Sequence, residues 1–175
     1  MEIAILAGGC FWCTEAVFQR VRGVENVRSG FCGGFIKNPP YREVVTGRTG
    51  HAEAIEITFD PAVVSYQNLL EVFMATHDPT TLNRQGADVG THYRSAIFYL
   101  NEQQKHMAEA QIAKLTAENQ FNNPIVTEIS PATPFYPAEV EHVDYYNRNR
   151  QQGYCQFVID PKVNKLLKNF EELVK

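Results

Sequence analysis

The sequence predicts an α+β fold, a two-layer α/β sandwich with a ferredoxin-like split βαβ core and additional C-terminal helices. Three observations carry this expectation. The runs Glu2-Ile3-Ala4-Ile5-Leu6 and Ser95 to Leu100 are short and nearly all apolar, as central strands with covered faces are. Residues 3–100 read in the order strand, helix, strand, strand, helix, strand, which is the split βαβ order. The stripe Val163, Leu166, Leu167, Phe170 and Val174 adds a closing amphipathic helix. At 175 residues the chain is expected to form a single domain over 1–175, with 150–175 as a C-terminal extension that carries Cys155 and the last helix.

The first strand is closed by Gly8-Gly9. A helix then follows from Thr14 to Arg22, with Cys13, Ala16, Val17 and Val21 on one face. Gly23 and Asn26 punctuate the chain before a second strand, Val27 to Phe35. Cys32, within it, reads as a packed structural thiol. Lys37 to Gly50 is a long ordered loop stiffened by Pro39-Pro40, with Tyr41 directly after the pair. In the strand His51 to Phe59, Ile55, Ile57 and Phe59 alternate with Glu56 and Thr58. Ser65 caps a helix whose apolar face is Tyr66, Leu69, Leu70 and Phe73, ending near His77, a structural residue in this reading. A polar loop, Leu82 to Tyr93, delivers Asp88 and Tyr93 to the start of the next strand. Asn101 and Gln104 form a capping box for a helix burying Ala108, Ile112 and Leu115. Ile125 to Ser130 is a further strand, and Glu139 to Gln152 reads as one helix. Cys155 falls between that segment and the last helix, in a region expected to move.

Cys10 sits where the first strand turns into a helix. Unpaired N–H groups and the positive end of the dipole there stabilise a thiolate, which is the reactive form of cysteine. Gly8 and Gly9 leave room for a ligand, and Phe11 and Trp12 can wall an apolar pocket. The competing reading is an ordinary buried cysteine in a tight turn. Glu53 shares the inward parity of Ile55, Ile57 and Phe59. A desolvated carboxyl there stays protonated near neutral pH and can act as a general acid. The alternative is that Glu53 emerges at the strand end and pairs with an arginine in solvent.

Hydrophobic residues are 44% and charged residues 21% of the chain, as in an ordinary globular protein. A net charge of −4 gives no reason to expect nucleic acid or an anionic membrane as partner. No apolar run approaches the ~20 residues of a membrane span, and Met1-Glu2 opens no signal peptide, so a cytoplasmic monomer is expected. The four cysteines then do not read as a disulfide framework. His51, His77, His92, His106 and His142 supply no close pair for zinc, so a metal site is not expected. Redox or nucleophilic work is the better use of the thiols.

Several motifs together resemble the class A peptide methionine sulfoxide reductases. They are Gly9-Cys10-Phe11-Trp12, Tyr41-Arg42-Glu43-Val44, Thr49-Gly50-His51-Ala52-Glu53-Ala54, Arg84-Gln85-Gly86 and Tyr93-Arg94-Ser95-Ala96-Ile97, in order over about residues 3–160. The resemblance implies that Cys10 attacks the sulfoxide sulfur and that Glu53 protonates its oxygen. It further implies that Phe11 and Trp12 hold the substrate methyl group, and that Tyr41, Asp88 and Tyr93 bind around the oxygen. The implied substrate is the S epimer of methionine sulfoxide, free or in peptides, and the implied fold is the two-layer sandwich with a split βαβ core. Cys10 would become a sulfenic acid, condense with a second thiol, and be recycled by thioredoxin, in the repair of oxidised proteins.

Most relatives of that kind carry glycine where this sequence has Cys13. Cys155, in Gly153-Tyr154-Cys155, matches a C-terminal resolving cysteine and is the first choice. Cys13 is an alternative resolver, a downstream relay, or a small residue packed against the sheet. No second C-terminal cysteine follows, which excludes a relay confined to the tail. Two rival functions stay open at this level, a general dithiol oxidoreductase using Cys10-Phe11-Trp12-Cys13 and a redox sensor without turnover.

Overall fold

In the computed structural model, which describes residues 1–175, the chain begins with strand β1 (Glu2–Ala7), helix α1 (Phe11–Phe18) and strand β2 (Val24–Cys32). A single turn of helix, α2 (Tyr41–Val44), precedes strand β3 (Ala52–Phe59) and helix α3 (Tyr66–Thr76). A two-residue hairpin, β4 (Arg84–Gln85) with β5 (Asp88–Val89), leads to β6 (Ala96–Tyr99) and α4 (Glu102–Ala117). The remainder holds β7 (Glu128–Pro131), β8 (Tyr136–Pro137), α5 (Tyr145–Arg148) and α6 (Asp160–Asn169). No helix is long and apolar enough to cross a membrane.

Six strands form one sheet in the order β7-β6-β1-β3-β2-β8. Its pairs are antiparallel except β6 with β7. Strands β1 and β2, joined through α1, therefore run the same way with β3 between them. The result is a mixed α/β architecture with a central, mostly antiparallel sheet and helices layered on one face. Alternation decides which side chains meet those helices: Leu6, Ile55, Ile57, Phe59 and Ile97 enter the main core with Ala16, Val17, Leu69, Leu70 and Ala108. The opposite face carries a smaller cluster, including Ile5, Ala7, Cys32, Ala54 and Phe98, against which Ala132 and Phe135 pack.

Local chemistry sets most boundaries. Ser65 and Asn68 make a reciprocal capping box at the start of α3, worth about 1 kcal/mol. At α4 the box is half made: Asn101 accepts from the Gln104 N–H, but the Gln104 side chain instead joins Leu100 N–H to the Ile3 carbonyl. The first helix begins at Phe11, three residues earlier than the spacing suggests, because Cys10 is its N-cap. The second strand starts at Val24 and ends at Cys32, since Gly33 turns away with φ of 91°.

Glu139 to Gln152 is not one helix. A 3-10 turn (Val140–His142) and the left-handed Asp144 break it before α5. The last helix ends at Asn169; Val174 lies outside it and bridges to Val21. The segment expected to move, Cys155–Ile159, is instead a π-helical turn whose Cys155 and Ile159 are fully buried in the main core.

Candidate active site

The sheet register brings the site together. Leu6 pairs with Ile55 across β1 and β3, so two residues further along each strand the chain reaches Gly8 and Glu53. Gly9 then turns the chain with φ of 86°, and a Cβ there would meet the Gln85 side chain at 2.6 Å. Cys10 follows as the N-cap of α1, and the Cys13 N–H donates to the Cys10 carbonyl at 3.0 Å. That first turn holds the two cysteines at a separation a disulfide can span.

Helix placement does not by itself activate Cys10. Its thiol is buried, and burial drives its pKa well above the usual thiol range, with the charges of Glu53 and Cys13 acting the same way. Hydrogen bonding from the Trp12 backbone and from Tyr154 opposes the shift without overcoming it. The helix terminus alone predicts a thiolate here; desolvation outweighs it, and Cys10 rests as a neutral thiol.

Glu53 is 1% exposed, and its inward parity puts it beside the nucleophile rather than against an arginine in solvent. Oε1 accepts the Phe11 backbone N–H at 3.1 Å, while Oε2 is buried with no partner. Burial, reinforced by the charge of Asp88, raises its pKa to about 8 against the pull of the Phe11 amide and of the neighbouring Cys10 thiol. The carboxyl is therefore protonated at neutral pH, with one oxygen free to donate.

An aromatic enclosure surrounds this pair. Phe11 is fully buried, its ring 5.7 Å from Phe31 and 6.2 Å from Tyr41. Trp12 is partly exposed and stacks on Tyr145 at 3.7 Å with an 8° interplanar angle. Its indole N–H donates to His142 Nδ1 at 3.2 Å. Tyr41 is delivered by α2, its ring 4.4 Å from His142. Tyr93 ends the 3-10 turn Thr91–Tyr93 that follows β5. Burial first, then the charges of Glu53 and Cys10, push both phenols far above the usual tyrosine range, so both remain hydroxyl donors.

Asp88, on β5, accepts the Tyr154 hydroxyl at 2.6 Å, and that hydroxyl lies 3.7 Å from Cys13 Sγ. Cys13 is buried; burial raises its pKa, while the Lys162 ammonium and Tyr154 pull the other way. All four thiols are free, and Cys155 is wholly buried in the π-helical turn. The structure thus gathers Cys10, Cys13, Glu53, Phe11, Trp12, Tyr41, Asp88 and Tyr93 around one centre, and keeps Cys155 under cover.

Sequence reading missed Tyr154, His142, Tyr145 and Glu15. Tyr154 precedes Cys155 and was passed over in favour of the thiol. Glu15, three residues beyond Trp12, is buried and accepts the backbone N–H groups of Asp144 and Tyr145 at 3.2 and 3.3 Å. It ties α1 to the start of α5, and so to the residue that stacks on Trp12. Its pKa is raised to about 7, chiefly by burial. Nothing local in the sequence announces these roles, because each partner is more than 60 residues away.

Glu139, Glu141 and His142 have ligand atoms within 4.8 Å of one another. The chemistry is wrong for a metal: His142 Nδ1 accepts from Trp12, which leaves the ring proton on Nε2. The Glu139 carboxylate already accepts the Tyr41 N–H through both oxygens.

Residues 2–173 match the family described as peptide methionine sulfoxide reductase. A peptide methionine sulfoxide reductase MsrA of Chromobacterium violaceum is 55% identical over 175 residues, covering 100% of this chain and 99% of the relative. One of Deinococcus radiodurans is 59% identical over 165 residues, covering 94% and 80%. Among solved structures, reduced Mxr1 of Saccharomyces cerevisiae aligns with a TM-score of 0.82 at 30% identity, over 88% of each chain. Methionine sulfoxide reductase A of Corynebacterium diphtheriae aligns at 0.76 and 38% identity, over 89% of this chain and 78% of that one.

Proposed function

The chain belongs to the peptide methionine sulfoxide reductase family, and on that premise we infer how its site works. The enzyme reduces methionine sulfoxide to methionine. The substrate methyl group rests against Phe11 and Trp12, and its oxygen points to Glu53 Oε2, with the Tyr41 and Tyr93 hydroxyls donating and Asp88 bordering the pocket. Cys10 attacks the sulfur as Glu53 gives its proton to the oxygen. The substrate S–O bond breaks and methionine leaves, reduced by two electrons. Cys10 carries the oxygen as a sulfenic acid, oxidised by the same two. The proton that Cys10 sheds restores the Glu53 carboxyl, so the acid is regenerated within the step.

One observation carries this reading: a buried carboxyl, neutral at pH 7, whose second oxygen has no partner in a site built around a thiol. A structural carboxylate would be paired. Cys13, in the same helical turn, then attacks the sulfenic sulfur; hydroxide departs and leaves as water with the Cys13 proton. Its nearness favours Cys13 as first resolver over the covered Cys155, which remains the deeper reserve. Thioredoxin, a dithiol, returns the disulfide to two thiols.

We propose further that the substrate is the S epimer, free or within oxidised proteins under repair. Residues 1–175 act as one catalytic unit, a cytoplasmic monomer, with 150–175 as its cysteine-bearing extension. The strand order β6-β1-β3-β2, all antiparallel, supports the ferredoxin-like split βαβ description of its core.

A single-turnover experiment tests the chemistry. Reduced enzyme mixed with methionine sulfoxide, without reductant, should form one methionine per chain and lose two titratable thiols. Methionine formation without thiol loss would refute the sulfenic acid and disulfide route.

A further inference from the structure

An opening reaches both thiols. A cavity of about 360 Å³ is lined by Cys10, Cys13, Asp88, Tyr154, Phe157 and Lys162, among others. Of the residues assigned to the sulfoxide, only Cys10 and Asp88 border it; Glu53, Phe11, Trp12, Tyr41 and Tyr93 do not. Its wall is the β4–β5 hairpin on one side and the π-helical turn with the start of α6 on the other. At its lip stands Phe157, 82% exposed.

A single exposed aromatic is ordinary on a protein surface. This one belongs to a turn in which Cys155 and Ile159 are buried and Val158 is half-buried, and it borders the cavity that ends on two redox thiols. We propose that this cavity is the docking mouth for the recycling dithiol protein, with Phe157 as its apolar anchor and Cys13 as the sulfur presented to the incoming thiolate. The proposal rests on the reductase reading and adds to it the surface on which the reductant sits.

The chemistry selects this occupant. A reductant must reach a sulfur of the Cys10–Cys13 disulfide, and this cavity ends on both of those cysteines. The partner's thiolate attacks Cys13 Sγ, forming a mixed disulfide and expelling Cys10 as a thiolate, which takes a proton. The partner's second thiol, as thiolate, then displaces Cys13, which leaves as a thiolate; the partner becomes the disulfide and this chain regains both thiols. The Lys162 ammonium, in the same wall, offsets the charge on the departing Cys13 sulfur, in line with its lowering effect on that thiol. Exposed aromatics that bury on contact are the usual energetic centres of such interfaces.

The test compares two reductants on the full chain. Turnover of a blocked methionine sulfoxide is followed with thioredoxin, thioredoxin reductase and NADPH, and separately with dithiothreitol, for wild type, Phe157→Ser and Lys162→Glu. The expected result is a fall of at least tenfold in kcat/KM for thioredoxin in Phe157→Ser and a smaller fall in Lys162→Glu. Dithiothreitol, which needs no docking, should support Phe157→Ser within twofold of wild type. Unchanged thioredoxin kinetics in both variants would overturn the proposal. So would a parallel loss with both reductants in Phe157→Ser, which would give the cavity to the sulfoxide step instead. Wild-type turnover with dithiothreitol tests the reductase reading by itself, so the two failures are distinguishable.

Discussion

The backbone N–H of Phe11 holds Glu53 by Oε1 alone, at 3.1 Å, and leaves Oε2 buried and unpaired. The amide that orients the acid thus belongs to the residue directly after the nucleophile. Any shift of the α1 N-terminus moves thiol and acid together, which keeps their relation fixed as substrate binds.

Glu53 must be protonated to work, and its pKa is raised to about 8. Turnover of the reduced enzyme should therefore fall as pH rises through about 8. Glu53→Gln should abolish that limb and lower kcat by ~10²–10⁴-fold. The same shift has a sign for stability. The folded state holds this proton to higher pH than the unfolded chain, whose carboxyl titrates near 4.5. Its contribution is full below about pH 4.5 and is lost as pH rises through about 8. Thermal unfolding across that window should show a flatter pH dependence in Glu53→Gln than in wild type.

The strand parity of Glu53, the turn at Cys10 and the aromatic pair beside it are written in a few adjacent residues, and all were legible. The burial that outweighs the helix terminus at Cys10 is not legible, since the residues that share its cavity, such as Gln85 and Lys162, lie far along the chain. The segment after Glu139 is not legible as helix, because its polar and aromatic residues serve tertiary partners rather than a helical face: Tyr145 meets Trp12, and His142 accepts the indole N–H hydrogen bond. Cys155 was read by motif, and its burial came from the packing of the π-helical turn.

The two candidate resolvers should separate by variant. Cys13→Ser should still form one methionine per chain, accumulate a sulfenic acid that dimedone traps, and lose at least tenfold of thioredoxin-supported turnover. Cys155→Ser should stay near wild type in all three measurements. The opposite ranking would give the first resolving step to Cys155.

Glu15 should act on substrate binding rather than chemistry. Glu15→Ala removes two charge-assisted hydrogen bonds to the Asp144 and Tyr145 amides and frees the ring that backs Trp12. KM for the sulfoxide should rise severalfold with kcat changed less, and Glu15→Gln, which keeps an acceptor, should recover part of the loss. Steady-state kinetics of the three proteins decides it.

Gly9→Ala should cost about 1–3 kcal/mol of stability, measured by denaturant unfolding. The new methyl group would sit in a left-handed backbone conformation, against the Gln85 side chain at 2.6 Å.

The most direct measurement follows the separated S and R epimers of a blocked methionine sulfoxide with dithiothreitol, using wild type, Cys10→Ser and Glu53→Ala. The site described here predicts conversion of the S epimer alone, no conversion by Cys10→Ser, and strongly slowed conversion by Glu53→Ala. Failure of folded wild type to convert either epimer, or full activity in Cys10→Ser, would contradict it.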